Sequence, residues 1–597
     1  MSYVAPVKDM LFCMKELAGL EEVAQLPGFE DAGLETAQAV LEECANFNQG
    51  VVAPLNAEGD RQPSSWRDRQ VTTTPGFREA FRQYAAGGWQ GLQHPSEFGG
   101  QNLPKTIGAA CLEILNSANL SFALCPLLTD GAIEALLTAG SHEQQQRYLP
   151  KMIAGEWTGT MNLTEAQAGS DLAQVRTRAD PQPDGSYKIS GTKIFITFGE
   201  HDMAENIVHL VLARVVGAPE GVKGISLFIV PKFLVNADGS LGARNDVWCV
   251  SIEHKLGIKA SPTAVLQFGD HGGATGYLVG QENRGLEYMF IMMNAARYAV
   301  GMQGIAVSER AYQQAAAYAK DRVQSRPVDG SLPGSAAIVH HPDVRRMLMT
   351  MRATTEGARA MALVAAAAYD ASHHHPDPET RRDNQAFYEF LVPVVKAYST
   401  EMSIEVASLG VQVHGGMGYI EETGAAQYLR DARILPIYEG TTAIQANDLV
   451  GRKTGRDGGR TAKALAARIA ATEAELGRRD TAAAKSMSRR LRAAREAFEQ
   501  VVDFMVASQK QRPNAAYAGS VPYVMLVGHV VSGWQMARAL MVAEDRLAKG
   551  DADADFLKAK VATARFHAEH LLSRVPALRD EIVDGADSVM ALPAEAF

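Results

Sequence analysis

The sequence predicts a mainly α-helical protein with a small β domain in its middle and an extra helical domain at its C-terminal end. In residues 1–160, and again from 283 to about 452, apolar residues recur at steps of three and four. Between these regions, short β-branched and aromatic runs such as YKISGTKIFIT and NIVHLVLARV are bounded by Gly, Asp, Asn or Pro. Such runs are typical of a small sheet or barrel.

These changes in pattern divide the chain into five parts. A chain of 597 residues is too long for one core and suggests several packed units. A Gly-rich break, TGRDGGR, precedes helices rich in Ala, Arg and Glu. The predicted parts are an N-terminal extension with a helical domain at 1–160, a middle β domain at 161–282, a second helical domain at 283–453, a linker at 454–460 and the extra helical domain at 461–597.

Composition narrows the classes of function. A net charge of -10 disfavours nucleic-acid binding, because attraction to phosphate dominates such binding. The five cysteines never form a CxxC pair, which indicates reduced thiols rather than a disulfide framework or a zinc site. His567 and His570 form an HxxH pair with no apparent third ligand, so we expect no metal.

The N-terminus indicates a cytoplasmic protein. Lys8 and Asp9 stand where a signal peptide would need an uninterrupted apolar stretch. No segment approaches the roughly 20 apolar residues that a membrane-crossing helix needs. We therefore expect a soluble protein with no transmembrane segment.

Arg297 lies on an otherwise apolar helical face. Leu286, Phe290, Met293, Arg297 and Val300 follow one another at steps of four, three, four and three residues. The pattern leaves two interpretations open. The arginine is either at the edge of the core with its charged head in water, or a cation directed into a buried site.

Glu439 is the candidate for acid–base chemistry. It lies in LPIYEGTTAIQ with Ile437, Tyr438 and Ile444 nearby. A carboxylate in apolar surroundings loses hydration, so its pKa rises toward neutrality and it becomes a usable general base. The alternative is a loop glutamate that faces water.

Two glycine-containing segments could hold a phosphate. They are AGSD at 168–171 and HGGMG at 414–418, where missing side chains let backbone N–H groups approach an anion. The chain contains neither a GxGxxG fingerprint nor a GxxxxGK[ST] loop. We therefore expect neither a Rossmann dinucleotide site nor a P-loop.

Seven segments, in order, resemble the acyl-CoA dehydrogenase family. They are MNLTEAQAGSD (161–171), GTKIFIT (191–197), EHKLGIKASPT (253–263), AARYAVG (295–301), QVHGGMGYIEE (412–422), LRDARI (429–434) and IYEGTTAIQ (437–445). The resemblance implies that family's fold, with an N-terminal helical domain, a β-barrel-like middle domain and a C-terminal four-helix bundle. It also implies FAD as cofactor and α,β-dehydrogenation of an acyl-CoA thioester to the trans-2-enoyl-CoA.

The resemblance assigns roles to individual residues. Glu439 matches the catalytic base, and Ala296, where some branches carry the base, cannot take a proton. The positions that match flavin contacts are Met161, Leu163, Thr164, Ser170, Phe195, Thr197, Arg322, Gln412, Gly415, Gly416 and Thr441. The positions that match substrate contacts are Ser170, Asn294, Arg297 and Gly440.

Part of the implied flavin site crosses a subunit boundary. Arg322, Gln412, Gly415 and Gly416 match positions that bind FAD from a neighbouring subunit, which implies a homodimer or a larger homo-oligomer. The chain departs from the family at 325–326, where Ser-Arg replaces the Phe-Gly of many relatives. The resemblance further implies electron-transfer flavoprotein as the electron acceptor.

The tail and the N-terminal stretch narrow the resemblance. YVAPVKDMLF, DRVQSRP and the extra helices look most like the bacterial 3-(methylthio)propanoyl-CoA dehydrogenases and their long relatives. The implied substrate is that thioester or a medium- or long-chain straight acyl-CoA, as in fatty acid β-oxidation. Two alternatives remain: an acyl-CoA oxidase, and a DNA-binding relative from the alkylation-response branch. The basic run with Arg489, Arg490, Arg492 and Arg495 is interpreted as a solvated helix face or a subunit contact.

Overall fold

The structure, a computed structural model, describes residues 3–597 and is 62% helical. The helices are α1 Val7–Phe12, α2 Leu20–Val23, α3 Leu34–Phe47, α4 Leu55–Arg61, α5 Phe77–Ala86, α6 Lys105–Ala118, α7 Leu120–Ala139, α8 His142–Ile153, α9 Gly285–Asp321, α10 Pro342–His374, α11 Pro378–His414, α12 Ala425–Ala432, α13 Thr442–Asp448, α14 Arg460–Leu476, α15 Ala482–Gln511, α16 Pro513–Ala518, α17 Ser520–Ala548, α18 Ala554–His570 and α19 Val575–Val583. The strands are β1 Ser65–Arg67, β2 Gln70–Thr72, β3 Trp157–Asn162, β4 Arg178–Pro181, β5 Tyr187–Thr197, β6 Asn206–Val215, β7 Ile225–Pro231, β8 Phe233–Val235, β9 Leu241–Arg244, β10 Val247–Ile252, β11 Thr263–Phe268 and β12 Ala274–Val279.

The chain forms two compact units. The barrel unit contains residues 47–103 and 118–296, and the bundle unit contains the described residues up to 46 together with 104–117 and 297–597. The predicted fold class, mainly α with a middle β domain and an extra C-terminal helical domain, is confirmed.

Five strands of the barrel unit close into a ring. The pairs β5–β12, β12–β7 and β7–β6 are antiparallel, and β4 pairs with both β5 and β6. β3 adds to β6 in parallel, while β11 and β10 extend from β5. Every residue of β6 except Arg214 is buried, which explains its continuous apolar run. β5 and β6 coincide with the two runs predicted as strands.

Helix α7 corrects one expectation. Its 20 residues are long and apolar enough to cross a membrane, although the sequence analysis found no such segment. Asp130 and Glu134 interrupt the run, so it does not read as continuously apolar. The protein itself buries 83% of the apolar window. Asn119 caps the start of the helix, and its side-chain oxygen accepts a hydrogen bond from Phe122 N at 3.1 Å.

A short hairpin interrupts the predicted N-terminal helices. β1 and β2 pair antiparallel, with Ser65 opposite Thr72. Each strand has three residues, and all but Val71 are exposed. Three residues are too few for an alternation of apolar and polar residues to stand out, so the periodicity could not predict these strands.

The bundle unit is built on the long helices α9, α10 and α11. The Tyr298 hydroxyl of α9 donates to Ala362 O of α10 at 2.8 Å. The C-terminal helices pack on the same core, where Tyr398 of α11 and His529 of α17 form a buried hydrogen bond of 3.2 Å. Arg495, from the predicted basic run, pairs with Glu473 at 2.7 Å. That arginine is therefore engaged within the C-terminal helices.

Candidate active site

The loop between α12 and α13 holds Glu439 in a strained conformation. Its φ is +54°, in a left-handed region that glutamate rarely adopts, and Gly440 follows with φ +86°. The Thr442 N–H donates to Pro436 O at 2.9 Å and closes the loop behind them. A residue in such a conformation costs about 1–3 kcal/mol and persists only where its surroundings enforce it.

Glu439 is half-buried as a residue. Burial raises its pKa to about 7, and the positive charges of Lys396 and Arg297 oppose that rise. A carboxyl with this pKa is about half ionised at neutral pH and is a stronger base than an ordinary glutamate.

Arg297 is buried, with only 5% of its surface exposed. The interpretation in which its charged head reaches water therefore does not hold. Its Nη1 lies 3.9 Å from Asp448 Oδ2, too far for a hydrogen bond, and its Nε has no hydrogen-bond partner. Burial lowers the pKa of Arg297, while Asp448 and Glu439 oppose the shift. An unpaired buried donor costs about 1–3 kcal/mol, so a ligand that accepted this bond would recover it.

Two residues that the sequence analysis missed complete this cluster. The Lys396 ammonium donates to Leu435 O at 2.9 Å and to Gly440 O at 2.8 Å. Gln445 Nε2 also donates to Gly440 O, at 3.1 Å, while its buried Oε1 has no partner. The available signal for Lys396 was a lone charge directly after the apolar run LVPVV of α11.

A second group of predicted residues lies where α9 and α11 end. The Tyr318 and His414 rings stack with centroids 4.4 Å apart and hold these helix ends together. Arg322, Gln412, Gly415 and Gly416 are all exposed here. Gly415 has φ +61°, and a Cβ at either glycine would meet no atom within 4 Å. The backbone is thus open to a ligand at this point.

Thr441 belongs to the Glu439 loop rather than to these helix ends. It is half-buried and stands at the N-terminal boundary of α13, where its side chain caps no backbone N–H group.

The barrel unit brings a third group together at one end of β5. Lys193 Nζ donates to Leu163 O and Ile194 N donates to Thr164 O, both at 2.9 Å. These bonds hold the segment after β3 beside Phe195. That phenylalanine has φ +59° and is 58% exposed, which is unusual for a large aromatic side chain.

The remaining predicted residues differ in exposure. Met161 is buried in β3, and Thr197 is half-buried at the end of β5. Ser170 and Asn294 are exposed. Asn294 precedes Arg297 by three residues on α9, so both side chains leave the same side of that helix. Among residues 3–597, no group of three or more His, Cys, Asp or Glu residues is placed to hold a metal ion.

Sequence profiles of four domains match the chain in order. They are the acyl-CoA dehydrogenase N-terminal domain at 35–156, its middle domain at 160–271, its C-terminal domain at 283–453, and an acetyl-CoA dehydrogenase C-terminal-like domain at 465–593. The chain belongs to the acyl-CoA dehydrogenase family. It is therefore a member of a family of FAD-dependent oxidoreductases.

Relatives within the acyl-CoA dehydrogenase family match the whole chain. A 3-methylmercaptopropionyl-CoA dehydrogenase of Ruegeria pomeroyi is 55% identical over 99% of both chains. A broad-specificity linear acyl-CoA dehydrogenase of Mycobacterium tuberculosis is 35% identical over 100% of both. In fold, the chain is similar to an acyl-CoA dehydrogenase of Bacillus anthracis solved with FAD, with a TM-score of 0.72 at 22% identity, covering 94% of this chain and 90% of the other.

The residues described above fit the acyl-CoA dehydrogenase cofactor. An exposed aromatic ring such as Phe195 suits a flat, apolar ring system. Open glycine backbone at Gly415 and Gly416 suits a diphosphate, because no side chain blocks the approach to the backbone. The unpaired Nε of Arg297 and Oε1 of Gln445 are polar atoms that a bound ligand can satisfy.

Proposed function

We propose that this chain catalyses the FAD-dependent α,β-dehydrogenation of 3-methylmercaptopropionyl-CoA, that is 3-(methylthio)propanoyl-CoA. The substrate rests on the 55% identity to a dehydrogenase named for that thioester. The chemistry rests on one observation: half-buried Glu439 lies in a strained loop that buried Lys396 binds through Gly440 O at 2.8 Å. Burial raises the pKa of the Glu439 carboxyl to about 7, which suits a base at neutral pH.

In the proposed reaction, Glu439 removes a proton from the carbon next to the thioester carbonyl. Bound FAD supplies the acceptor for the β hydrogen and its electron pair. The product carries a trans double bond between the α and β carbons. The Glu439 backbone N–H is expected to donate to the thioester oxygen, where negative charge develops, and such a donor contributes about 3–4 kcal/mol.

Other residues bind and orient the two ligands. We assign substrate contacts to Ser170, Asn294, Arg297 and Gly440. We assign flavin contacts to Met161, Leu163, Thr164, Ser170, Phe195, Thr197, Arg322, Gln412, Gly415, Gly416 and Thr441. The positive charge of buried Arg297 also favours the ionised form of the Glu439 base.

The wider assignment covers partners, assembly and domain division. Electron-transfer flavoprotein receives the electrons, and the enzyme is a cytoplasmic homodimer or larger homo-oligomer. The exposed helix-end group around Gly415 supports assembly, because it is open to a cofactor held by a second copy. The domain limits proposed are 1–160, 161–282, 283–453 and 461–597, with 454–460 as linker.

Glu439→Gln tests the base directly. The variant keeps the side-chain shape but cannot take the α proton, so flavin reduction should slow by at least about 10³-fold while FAD stays bound. Anaerobic stopped-flow measurement of flavin bleaching after mixing with 3-methylmercaptopropionyl-CoA reports the rate. Glu422→Gln, at an exposed glutamate on the same unit, is the matched control and should bleach at the normal rate.

A substantial rate of bleaching in Glu439→Gln would refute the assigned base.

Substrate identity is tested separately with butanoyl-, octanoyl- and palmitoyl-CoA. The methylthio thioester should give the highest kcat/KM, and a clear preference for a longer straight chain would reject it. Peroxide formation in air with every acyl-CoA would identify an oxidase instead. Salt-dependent retention on duplex DNA without bleaching would identify the DNA-binding alternative.

A further inference from the structure

Lys396 is a buried cation with an unusual set of partners. It is 0% exposed and stands in the apolar part of α11. Its two hydrogen bonds go to backbone carbonyl oxygens rather than to a carboxylate. Burying a charge without a directly bonded counter-ion is costly. This desolvation cost indicates that the ammonium has a role at its position. The two carbonyl oxygens that it binds show what that role concerns.

The two carbonyls bracket Glu439. Leu435 O lies four residues before the glutamate and Gly440 O one residue after it, and the same ammonium binds both. Gln445 Nε2 adds a second bond to Gly440 O. Glu439 and Gly440 are the two consecutive positive-φ residues of this loop. Lys396 therefore bonds the backbone on both sides of the strained residue that carries the carboxyl.

A second contact from the same helix holds the far end of the loop. The Thr442 hydroxyl donates to Glu401 Oε1 at 2.5 Å. Glu401 follows Lys396 by five residues on α11. One helix thus fixes both the middle and the end of the loop, but only Lys396 places a positive charge there.

The charges around Lys396 and Glu439 act on each other. Burial lowers the pKa of Lys396 to about 7, while Glu439 and Glu401 raise it and Arg297 lowers it further. Burial raises the pKa of Glu439, and Lys396 is the first of two cations that lower it, with Arg297 the second. The charge on each group therefore shifts the pKa of the other.

We propose that Lys396 is a positioning residue for the dehydrogenation, whose ammonium fixes the backbone on both sides of Glu439 and favours the ionised form of its carboxyl. This inference rests on the proposed role of Glu439 as the base. Lys396 itself bonds only to the loop that presents the base, through Leu435 O and Gly440 O.

Lys396→Met removes the charge and both hydrogen bonds while keeping a side chain of similar length. The rate of anaerobic flavin reduction is measured from pH 5.5 to 9 on the full-length, FAD-loaded enzyme. Loss of the cation favours the protonated carboxyl, so the rising limb of the profile should move to higher pH. We expect a shift of about one pH unit and a roughly tenfold slower reduction at pH 6.5.

A readout independent of turnover follows the carboxyl itself. For each chain, the infrared spectrum is compared with that of the same chain carrying Glu439→Gln. The difference reports protonation of Glu439 in the absence of substrate. At pH 7 the protonated band should be stronger in Lys396→Met than in the wild-type chain. Lys396→Arg keeps the charge and should restore the wild-type pH limb, even if the maximum rate stays lower. If Lys396→Met does not fold, Lys396→Gln provides the same neutral substitution.

The matched control is Lys560→Met. Lys560 is also buried, but it bonds to Asp9 and Glu356 and not to the Glu439 loop. Its loss should lower stability without moving the pH limb. If the pH limb and the infrared band stay unchanged in Lys396→Met, while Glu439→Gln abolishes reduction, the inference about Lys396 is wrong and the proposed base still holds. Reduction that survives Glu439→Gln would overturn the proposed base and this inference with it.

Discussion

Two buried arginines of the bundle unit, Arg359 and Arg297, differ in how completely carboxylates pair with their guanidinium groups. Arg359 is 1% exposed and donates to Glu113 at 2.9 Å, to Asp9 at 2.7 Å and to Glu309 at 2.7 Å. Arg297 is 5% exposed, has its Asp448 carboxylate at 3.9 Å, and leaves Nε without a partner.

The difference separates a structural ion cluster from the candidate site. The pKa of Arg359 is raised well above its ordinary value, because Glu113, Glu309 and Asp9 outweigh its desolvation. The pKa of Arg297 is lowered, because its desolvation outweighs the more distant Asp448 and Glu439. When carboxylates accept all the hydrogen bonds of a guanidinium, no N–H group is left for a substrate. When they accept only some, the remaining N–H groups can bind one.

Arg359→Met should give the largest loss of stability. It leaves the fully buried Glu113, together with Asp9 and Glu309, without the guanidinium that they share. We expect the free energy of unfolding to fall by about 3–5 kcal/mol, measured by urea denaturation. Arg352→Met is the control on the same helix. That arginine is partly exposed, and its salt bridge within residues 3–597 is to Glu356. A loss below about 1 kcal/mol in Arg359→Met would show that the cluster does not stabilise the fold.

Acid should weaken the same cluster by a smaller amount. Although burial raises the pKa of Asp9, Lys560 and Arg359 outweigh it and hold the pKa at about 2, below the usual 3.8. The folded state therefore binds fewer protons, so this contribution is complete above about pH 4 and is lost as the pH falls toward 2. We expect a loss of about 2 kcal/mol from this carboxyl.

Comparison with Asp9→Asn isolates that contribution from other carboxyl groups. Urea midpoints between pH 5 and 2.5 should fall more steeply in the wild-type chain than in the variant. Equal slopes in the two chains would contradict the lowered pKa of Asp9.

Arg297→Met should change stability least and activity strongly. Because the guanidinium lacks a close carboxylate, its loss should alter the free energy of unfolding by less than about 1 kcal/mol. Flavin reduction should slow by about 10²-fold, since the substrate loses a buried donor. Stopped-flow reduction and urea unfolding on the same preparation measure both effects. If the variant unfolds as readily as Arg359→Met but reduces flavin normally, the two arginines do not differ as described.

The sequence predicted the local pattern of the strands but not the long-range ion pairs. β5 and β6 are continuous β-branched and aromatic runs, so their limits follow from neighbouring residues. Arg359 and its partners Glu113 and Asp9 are 246 and 350 positions apart. No local periodicity connects residues at such distances, and only the packing of four chain segments brings them together.

The candidate site shows the same limit. The apolar face around Arg297 left both a buried and an exposed position open, because side-chain direction at a helix surface depends on its neighbours in space. Glu439 was identified through its family-like segment, since a single glutamate in a loop has no distinctive pattern. Lys396 was missed although its apolar surroundings marked it, because a lone lysine in a helix is ordinary until its hydrogen-bond acceptors are known.

The bond between Asp9 and Lys560 joins residues 551 positions apart. During synthesis, Asp9 leaves the ribosome long before its lysine has been made, so the first helix cannot reach its final ion pairs until translation is almost finished. A product that stops before residue 560 would keep the Asp9–Arg359 bond but would lack the second cation, Lys560. The two ends of the chain are therefore joined in one buried ion cluster, which is complete only after nearly the whole chain has been made.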